Sequence, residues 1–176
     1  MARFYTGQGD DGRTRLLGPD RIPKYDPRPE AYGAVDEAQA MMGLVRALGC
    51  TPTTGEILQA VQQDLVALMT ELAAAGQAHS RFADRITAEH VDHLEEWLAD
   101  LSERVEMPKR FVIPGESRAG AALHLARTVV RRAERRVVRL ADQGLLRNKQ
   151  VLAYLNRLSS LLFVLALFED RSSEER

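Results

Sequence analysis

The chain has 176 residues, of which 45% are apolar and 28% charged, enough for one well-buried core and too few for two comfortable domains. Lysine plus arginine number 24 against 25 acids, a formal charge of -1, which excludes the broad basic footprint of a general nucleic-acid binder. A lone cysteine, Cys50, excludes an internal disulfide and a thiolate zinc cluster within one chain.

The opening residues, Met1 to Gly9, lack the basic and then apolar run of a secretory signal. They lead into Tyr5-Thr6-Gly7-Gln8-Gly9-Asp10-Asp11-Gly12-Arg13-Thr14, where glycines, acids and threonines crowd together. Such a backbone can wrap closely around a ligand, and its amides and hydroxyls suit phosphate. Lys24 can add a compact charge for a triphosphate, and Asp10 or Asp11 can hold magnesium or its waters. The spacing is not that of a Walker A loop, and a plain flexible arm has the same composition. Residues 1–27 are therefore either a ligand-binding leader or such an arm.

Five segments have helical periodicity, and strand character is confined to fragments at Phe4–Tyr5 and Phe111–Ile113, so the class is all-α. The first helix is expected over Arg28 to Leu48, after the Asp26-Pro27 turn, with Gly49 as its stop. The second opens at Thr53 or Thr54, where Thr53 and Glu56 have capping-box spacing, and runs through Ile57, Val61, Leu65, Leu68 and Leu72 to about Gly76. After a polar stretch, Gln77 to Asp84, Thr87 caps a third helix with the stripe Val91, Leu94, Leu98 and Leu101. Its histidines, His90 and His93, read as solvated side chains on an acidic face, and no protein-held metal site is assigned.

Arg110-Phe111-Val112-Ile113-Pro114-Gly115-Glu116-Ser117 follows as an apolar loop, either a lid on the core or one wall of a ligand pocket. The fourth helix spans about Ser117 to Gln143, with Gly144 as its stop. Leu123, Ala126, Val130, Ala133 and Val137 form its buried stripe, and Arg127, Arg131 and Glu134 lie beside it, within about 60° of one another. All but three of the 24 cations are arginine, whose planar fork matches phosphate and carboxylate oxygens. A row of arginines at the edge of a core requires anions opposite, supplied by a polyphosphate or by acids of another helix; a solvated face with internal salt bridges is the alternative. Arg132, Arg136 and Arg139 point farther round, toward solvent or neighbouring acids.

The fifth helix is expected over Asn148 to Phe168, interrupted by Asn156 and Arg157. Its longest apolar run, Leu161 to Phe168, is too short to cross a membrane. The expected organisation is one domain: the leader, a helical bundle over 28–169, and a charged tail from Glu169 on, with 170–176 frayed. The cytosol is the expected location.

Taken together, Tyr5-Thr6-x-x-Gly9-Asp10-Asp11-Gly12-x-Thr14, Lys24, Glu30-Ala31-Tyr32-Gly33-x-Val35-Asp36-Glu37, Phe111-Val112-Ile113-Pro114-Gly115, Ala126-Arg127-Thr128-Val129-Val130-Arg131-Arg132-Ala133-Glu134-Arg135 and Tyr154-Leu155-Asn156-Arg157-Leu158-Ser159 resemble the ATP:cob(I)alamin adenosyltransferases of the PduO type. The resemblance implies a homotrimer of five-helix, ferritin-like up-down bundles that moves the 5'-deoxyadenosyl group of ATP to the cobalt of cobalamin and releases triphosphate. It assigns Thr6, Gly7, Gln8, Gly9, Asp10, Thr14, Arg15 and Lys24 to ATP, with Arg131, Arg132, Ala133, Glu134, Arg135 and Asn156 completing the nucleotide site across a subunit boundary. Magnesium would sit on the phosphates. Asp36 would pair with Arg127 on the corrinoid side, and Phe111 would displace the lower axial base. A reductase and an adenosylcobalamin-dependent mutase are the implied partners, with no nucleic acid and no membrane.

The chain departs from the family pattern at Glu116, Ser160 and Leu167, where glycine, aspartate and arginine are usual. Positions 160 and 167 share a helix face, so their joint change reads as the loss of one salt bridge and predicts a modified corrinoid pocket. A non-catalytic trimer that carries or senses ATP or a corrinoid is the alternative reading.

Overall fold

In the computed structural model, which describes residues 4–74 and 79–174, the helices begin where short polar side chains catch free amides. Asp26 accepts from the Arg28 amide at 3.0 Å and opens α1, Pro27–Leu48, with Pro27 and Pro29 in its first turn. Gly49, at φ +88°, ends it in a conformation open to glycine. Thr51, not the expected Thr53, caps α2, Pro52–Ala73, by accepting from the Thr54 amide at 3.3 Å. The chain turns after Gly49, too early for the Thr53 and Glu56 pair. The expected end near Gly76 lies outside the described residues.

A single turn, α3 (His79–Phe82), leads to α4, Ala88–Arg104. There the Thr87 amide donates to His90 Nδ1 at 3.2 Å, so this histidine serves the helix end. Ser117 accepts from the Gly120 amide at 2.8 Å and starts α5, Arg118–Asp142. Gly144, at φ +70°, follows that helix as expected.

The five long helices form the expected bundle. α1 packs on α5 and α2, and α6, Gln150–Glu174, packs on α5 and α4. Leu58, Leu65, Leu68, Leu94, Leu123, Leu155 and Leu158 are among the side chains sealed in the core. On length and hydropathy alone α6 is long enough to cross a bilayer, because polar residues around the short apolar run still leave an apolar window; its buried residues face α5 and α4. The two strands lie elsewhere than expected. β1, Arg13–Arg15, pairs antiparallel with β2, Arg21–Pro23, placing Thr14 opposite Ile22. Phe4–Tyr5 and Phe111–Ile113 are irregular, and Phe4 and Phe111 are fully exposed, with no strand among the described residues paired to them.

The tail is the main correction. A charged tail is expected from Glu169 on, frayed from 170, yet α6 continues to Glu174 and both Glu169 and Asp170 are buried. The Glu169 carboxylate receives the Thr51 hydroxyl at 2.6 Å and the Thr51 amide at 3.0 Å. Asp170 receives the Ser117 hydroxyl at 2.7 Å. Two successive acids thus sit at the N-termini of α2 and α5, where helix dipoles favour negative charge. The fit is tight enough to exclude a methyl group at Gly120, whose Cβ would lie 2.0 Å from Asp170 Oδ1.

Gly120→Ala should therefore destabilise the fold by about 2 kcal/mol, the usual cost of overpacking. Urea unfolding that leaves the midpoint unchanged would contradict this account of the α5–α6 contact.

Candidate functional site

The leader is a shaped loop. Gly7 and Gly12 take positive φ, and the Asp10 and Gly12 amides donate to the Gly7 and Gly9 carbonyls, each at 3.2 Å. Arg21 reaches across from β2 to the Gln8 carbonyl at 2.6 Å and to Asp11 Oδ1 at 2.9 Å. The Arg13 amide also donates to Asp11 at 3.1 Å, and this bond first, with the Arg21 guanidinium, holds the Asp11 carboxyl below its ordinary range. Both carboxylates are exposed; Asp11 is occupied as a brace, whereas Asp10 has no ion pair among the described residues. Lys24 donates its amide to Gly12 at 2.9 Å, and its Nζ lies 3.1 Å from where a Gly9 Cβ would be. Any side chain at position 9 would displace that ammonium. Thr14 and Arg15 lie on β1, and the strand is moored where buried Leu16 precedes Leu17, whose amide donates to the Ala73 carbonyl at 3.0 Å.

On α5 the arginines separate by partner. Arg132 pairs with Glu37, and Arg136 with Glu30 at 3.1 Å, so both lie along α1. Arg131 and Arg135 are exposed, and among the described residues neither has an ion pair. Glu134 accepts from Asn156 Nδ2 at 3.1 Å, and Asn156 Oδ1 accepts from Arg157 at 3.0 Å, which ties α5 to α6 by a polar link. Ala133 is fully buried, so its side chain packs within the bundle. Within one chain no hydrogen bond or ion pair among the described residues joins the leader to Arg131, Arg135 or Asn156. The leader's end instead meets the lower part of α5, where Tyr25, Pro27, Glu30, Arg136 and Arg139 line a cleft.

The loop after α4 borders an open cavity of about 420 Å³, whose lining includes Arg110, Phe111, Val112, His124, Arg127 and Phe163. The loop is a wall of this cavity. Phe111 is fully exposed at the mouth, with Met107 and Ile113 also in water, an apolar cluster of the kind that marks a binding surface. Arg127 does not pair with Asp36 inside one chain: Asp36 is exposed on α1, whereas Arg127 Nε is buried without a partner and its guanidinium lies 6.0 Å from the Phe163 ring centre. None of Glu116, Ser160 and Leu167 lines this cavity; Leu167 borders a separate hollow with Val105, Glu106 and Arg171. His124, Phe163 and Arg21 were missed in the sequence. His124 and Phe163 sit among the apolar residues of their helices, and Arg21 gains its place only from the hairpin.

The profile of the family described as cobalamin adenosyltransferase matches residues 4–169. The chain is 37% identical over 172 residues to the corrinoid adenosyltransferase PduO of Salmonella typhimurium, covering 98% of this chain and 51% of that protein. It is 39% identical over 175 residues to a corrinoid adenosyltransferase of Citrobacter freundii, covering 99% and 98%. It thus spans about half the length of the PduO relatives it matches. Its fold superposes on a variant PduO-type ATP:corrinoid adenosyltransferase from Lactobacillus reuteri, complexed with cobalamin and ATP, with a TM-score of 0.89 at 34% identity, covering 98% of this chain and 96% of that one.

Because one guanidinium braces the leader, Arg21→Ala should speed hydrogen exchange of the amides between Gly7 and Arg15 by about tenfold while the bundle stays protected. Unaltered exchange there would show that the loop holds its shape without this brace.

Proposed function

The chain belongs to the cobalamin adenosyltransferase family, and on that premise we propose that it transfers the 5'-deoxyadenosyl group of ATP to the cobalt of a reduced corrinoid. The observation that carries this reading is the placement of two anchors on one helix. Arg127 faces the apolar-mouthed cavity, and Arg131, about 6 Å farther along α5, stands free beside the Glu134–Asn156 link. A macrocycle and a polyphosphate can therefore be held within reach of one another.

The leader wraps the nucleotide with Thr6 to Asp10, Thr14, Arg15 and Lys24. Arg131 and Arg135, with Arg132 beside them, meet the triphosphate, and Glu134 with Asn156 fixes the sugar and base side. As the cobalt–carbon bond forms, the C5'–oxygen bond of ATP breaks and its electron pair leaves with the triphosphate. Cations positioned for that developing charge stabilise the transition state more than the ground state. Magnesium fits on the phosphates beside the exposed Asp10 carboxylate, since Asp11 is already committed to Arg21; when bound it neutralises charge on the leaving group. Phe111 offers an apolar face with no lone pair, suited to displacing an axial base from cobalt and easing reduction of the metal.

A homotrimer supplies what one chain lacks. Asp36 and Arg127, unpaired within a chain, and the leader and Arg131, apart within a chain, are completed by a neighbour. Exposed Leu44 and Leu48 on α1 and Leu125 and Val138 on α5 provide apolar surface for that contact. The reaction takes its electrons from a reductase and passes its product to an adenosylcobalamin-dependent mutase in the cytosol. The non-catalytic carrier reading drew on Glu116, Ser160 and Leu167, and the cavity is not built from those residues.

With cob(II)alamin, a reductant and Mg-ATP, the cobalt spectrum should convert to that of adenosylcobalamin; an unchanged spectrum under conditions that support a working transferase would overturn the activity. Arg131→Ala should lower kcat by roughly 10²- to 10³-fold, the scale of losing one preorganised charge partner. Sedimentation equilibrium should give the mass of three chains.

A further inference from the structure

The bond between Asn156 and Glu134 is one end of a longer chain of hydrogen bonds. Arg157 Nη1 donates to Asn156 Oδ1 at 3.0 Å, and Arg157 Nε donates to Glu95 Oε1 at 2.7 Å. The relay crosses three helices, from Glu134 on α5 through Asn156 and Arg157 on α6 to Glu95 on α4.

A carboxamide has an accepting end and a donating end, and it can exchange them by turning about its last bond. Here both sides oppose that turn. Reversed, the amide would set its oxygen against the Glu134 carboxylate and its N–H groups against the Arg157 guanidinium. Glu134 also engages the nucleotide, so Arg157 is the guard that holds the amide whether the site is empty or filled. Arg157 needs a partner in its turn, because a long side chain loses rotamer freedom when it is fixed. Its own helix supplies none: one turn away in either direction stand Ala153, Tyr154, Ser160 and Leu161, none of them an acid. Glu95 comes instead from α4, which packs on α6 and is anchored by buried Leu94 and Leu101.

We propose that Arg157 and Glu95 are positioning residues for nucleotide binding: Glu95 holds Arg157, and Arg157 sets the orientation of the Asn156 carboxamide. With its oxygen given to Arg157 and one N–H to Glu134, Asn156 keeps one N–H for the sugar and base side of ATP, beside the second Glu134 oxygen. The inference rests on Glu134 and Asn156 facing the nucleotide, as argued under the proposed function. Neither Arg157 nor Glu95 has to touch the ligand.

Calorimetric titration with Mg-ATP tests this. Glu95→Ala, which puts a strong helix former at an exposed helix position, should weaken Mg-ATP binding about threefold to fivefold, the scale of an exposed ion pair. Charge alone predicts the opposite sign, since the substitution removes an acid from the neighbourhood of a polyanion. In an Asn156→Ala background Glu95→Ala should no longer weaken binding, because the amide it orients is gone. In the adenosylation assay Glu95→Ala should raise KM for ATP and keep kcat within about twofold, as expected when ground state and transition state lose the same contact. Unchanged or tighter binding on Glu95→Ala, an equal loss with and without Asn156, or a loss carried by kcat would overturn the inference while the activity of the unsubstituted protein stands. Failure of the unsubstituted protein to bind Mg-ATP would sink the nucleotide site itself, and this inference with it.

Discussion

Helix α5 must bury one face of small and branched side chains between α1 and α6 while carrying seven arginines over the rest of its surface. The fold's charge arrangement follows from this constraint. Arginines that reach α1 find Glu37 and Glu30. One that turns toward α6, Arg127, is trapped against Phe163 at the cavity wall. Those on the remaining face, Arg131 and Arg135, are left in water. The exposed pairs along α1 contribute little stability individually, but they fix which cations are spent internally and which remain for an anion.

The leader, by contrast, is a preorganised loop. Its composition alone is that of a floppy arm, yet Asp11, Arg21 and a short hairpin give it a definite shape, and Leu16 anchors it to the bundle. A loop whose amides are already turned by Gly7 and Gly12 loses less conformational entropy on closing around a ligand than a free chain would. The two acids that look equivalent in the sequence are separated by this geometry into a brace and an available carboxylate.

Helices were legible because their signals are local. Asp26, Gly49, Thr87, Ser117 and Gly144 act within a few residues of themselves, and periodicity placed the core. The capping threonine of α2 was misplaced by two positions because Thr51, Thr53 and Thr54 offer competing oxygens, and only the turn after Gly49 decides among them. Glu169 and Asp170 look like solvent-facing residues by composition; their burial depends on Thr51 and Ser117, which periodicity cannot see. His124 is hidden for a similar reason, since its register puts it among buried neighbours and only its missing partners set it apart. The placement of Arg127, Arg131 and Glu134 at the edge of the core was legible through their spacing, whereas the separation of Asp36 from Arg127 within one chain was not.

The clasp between Thr51 and Glu169 joins positions 118 residues apart, and that between Ser117 and Asp170 joins positions 53 apart. A helical bundle ordinarily assembles quickly because most of its contacts are near neighbours along the chain. Here two helix ends, already capped by Thr51 and Ser117, gain a second, distant partner when the far end of α6 docks. The native bundle is accordingly fastened at α2 and α5 by bonds between residues far apart in the chain as well as by near-neighbour packing.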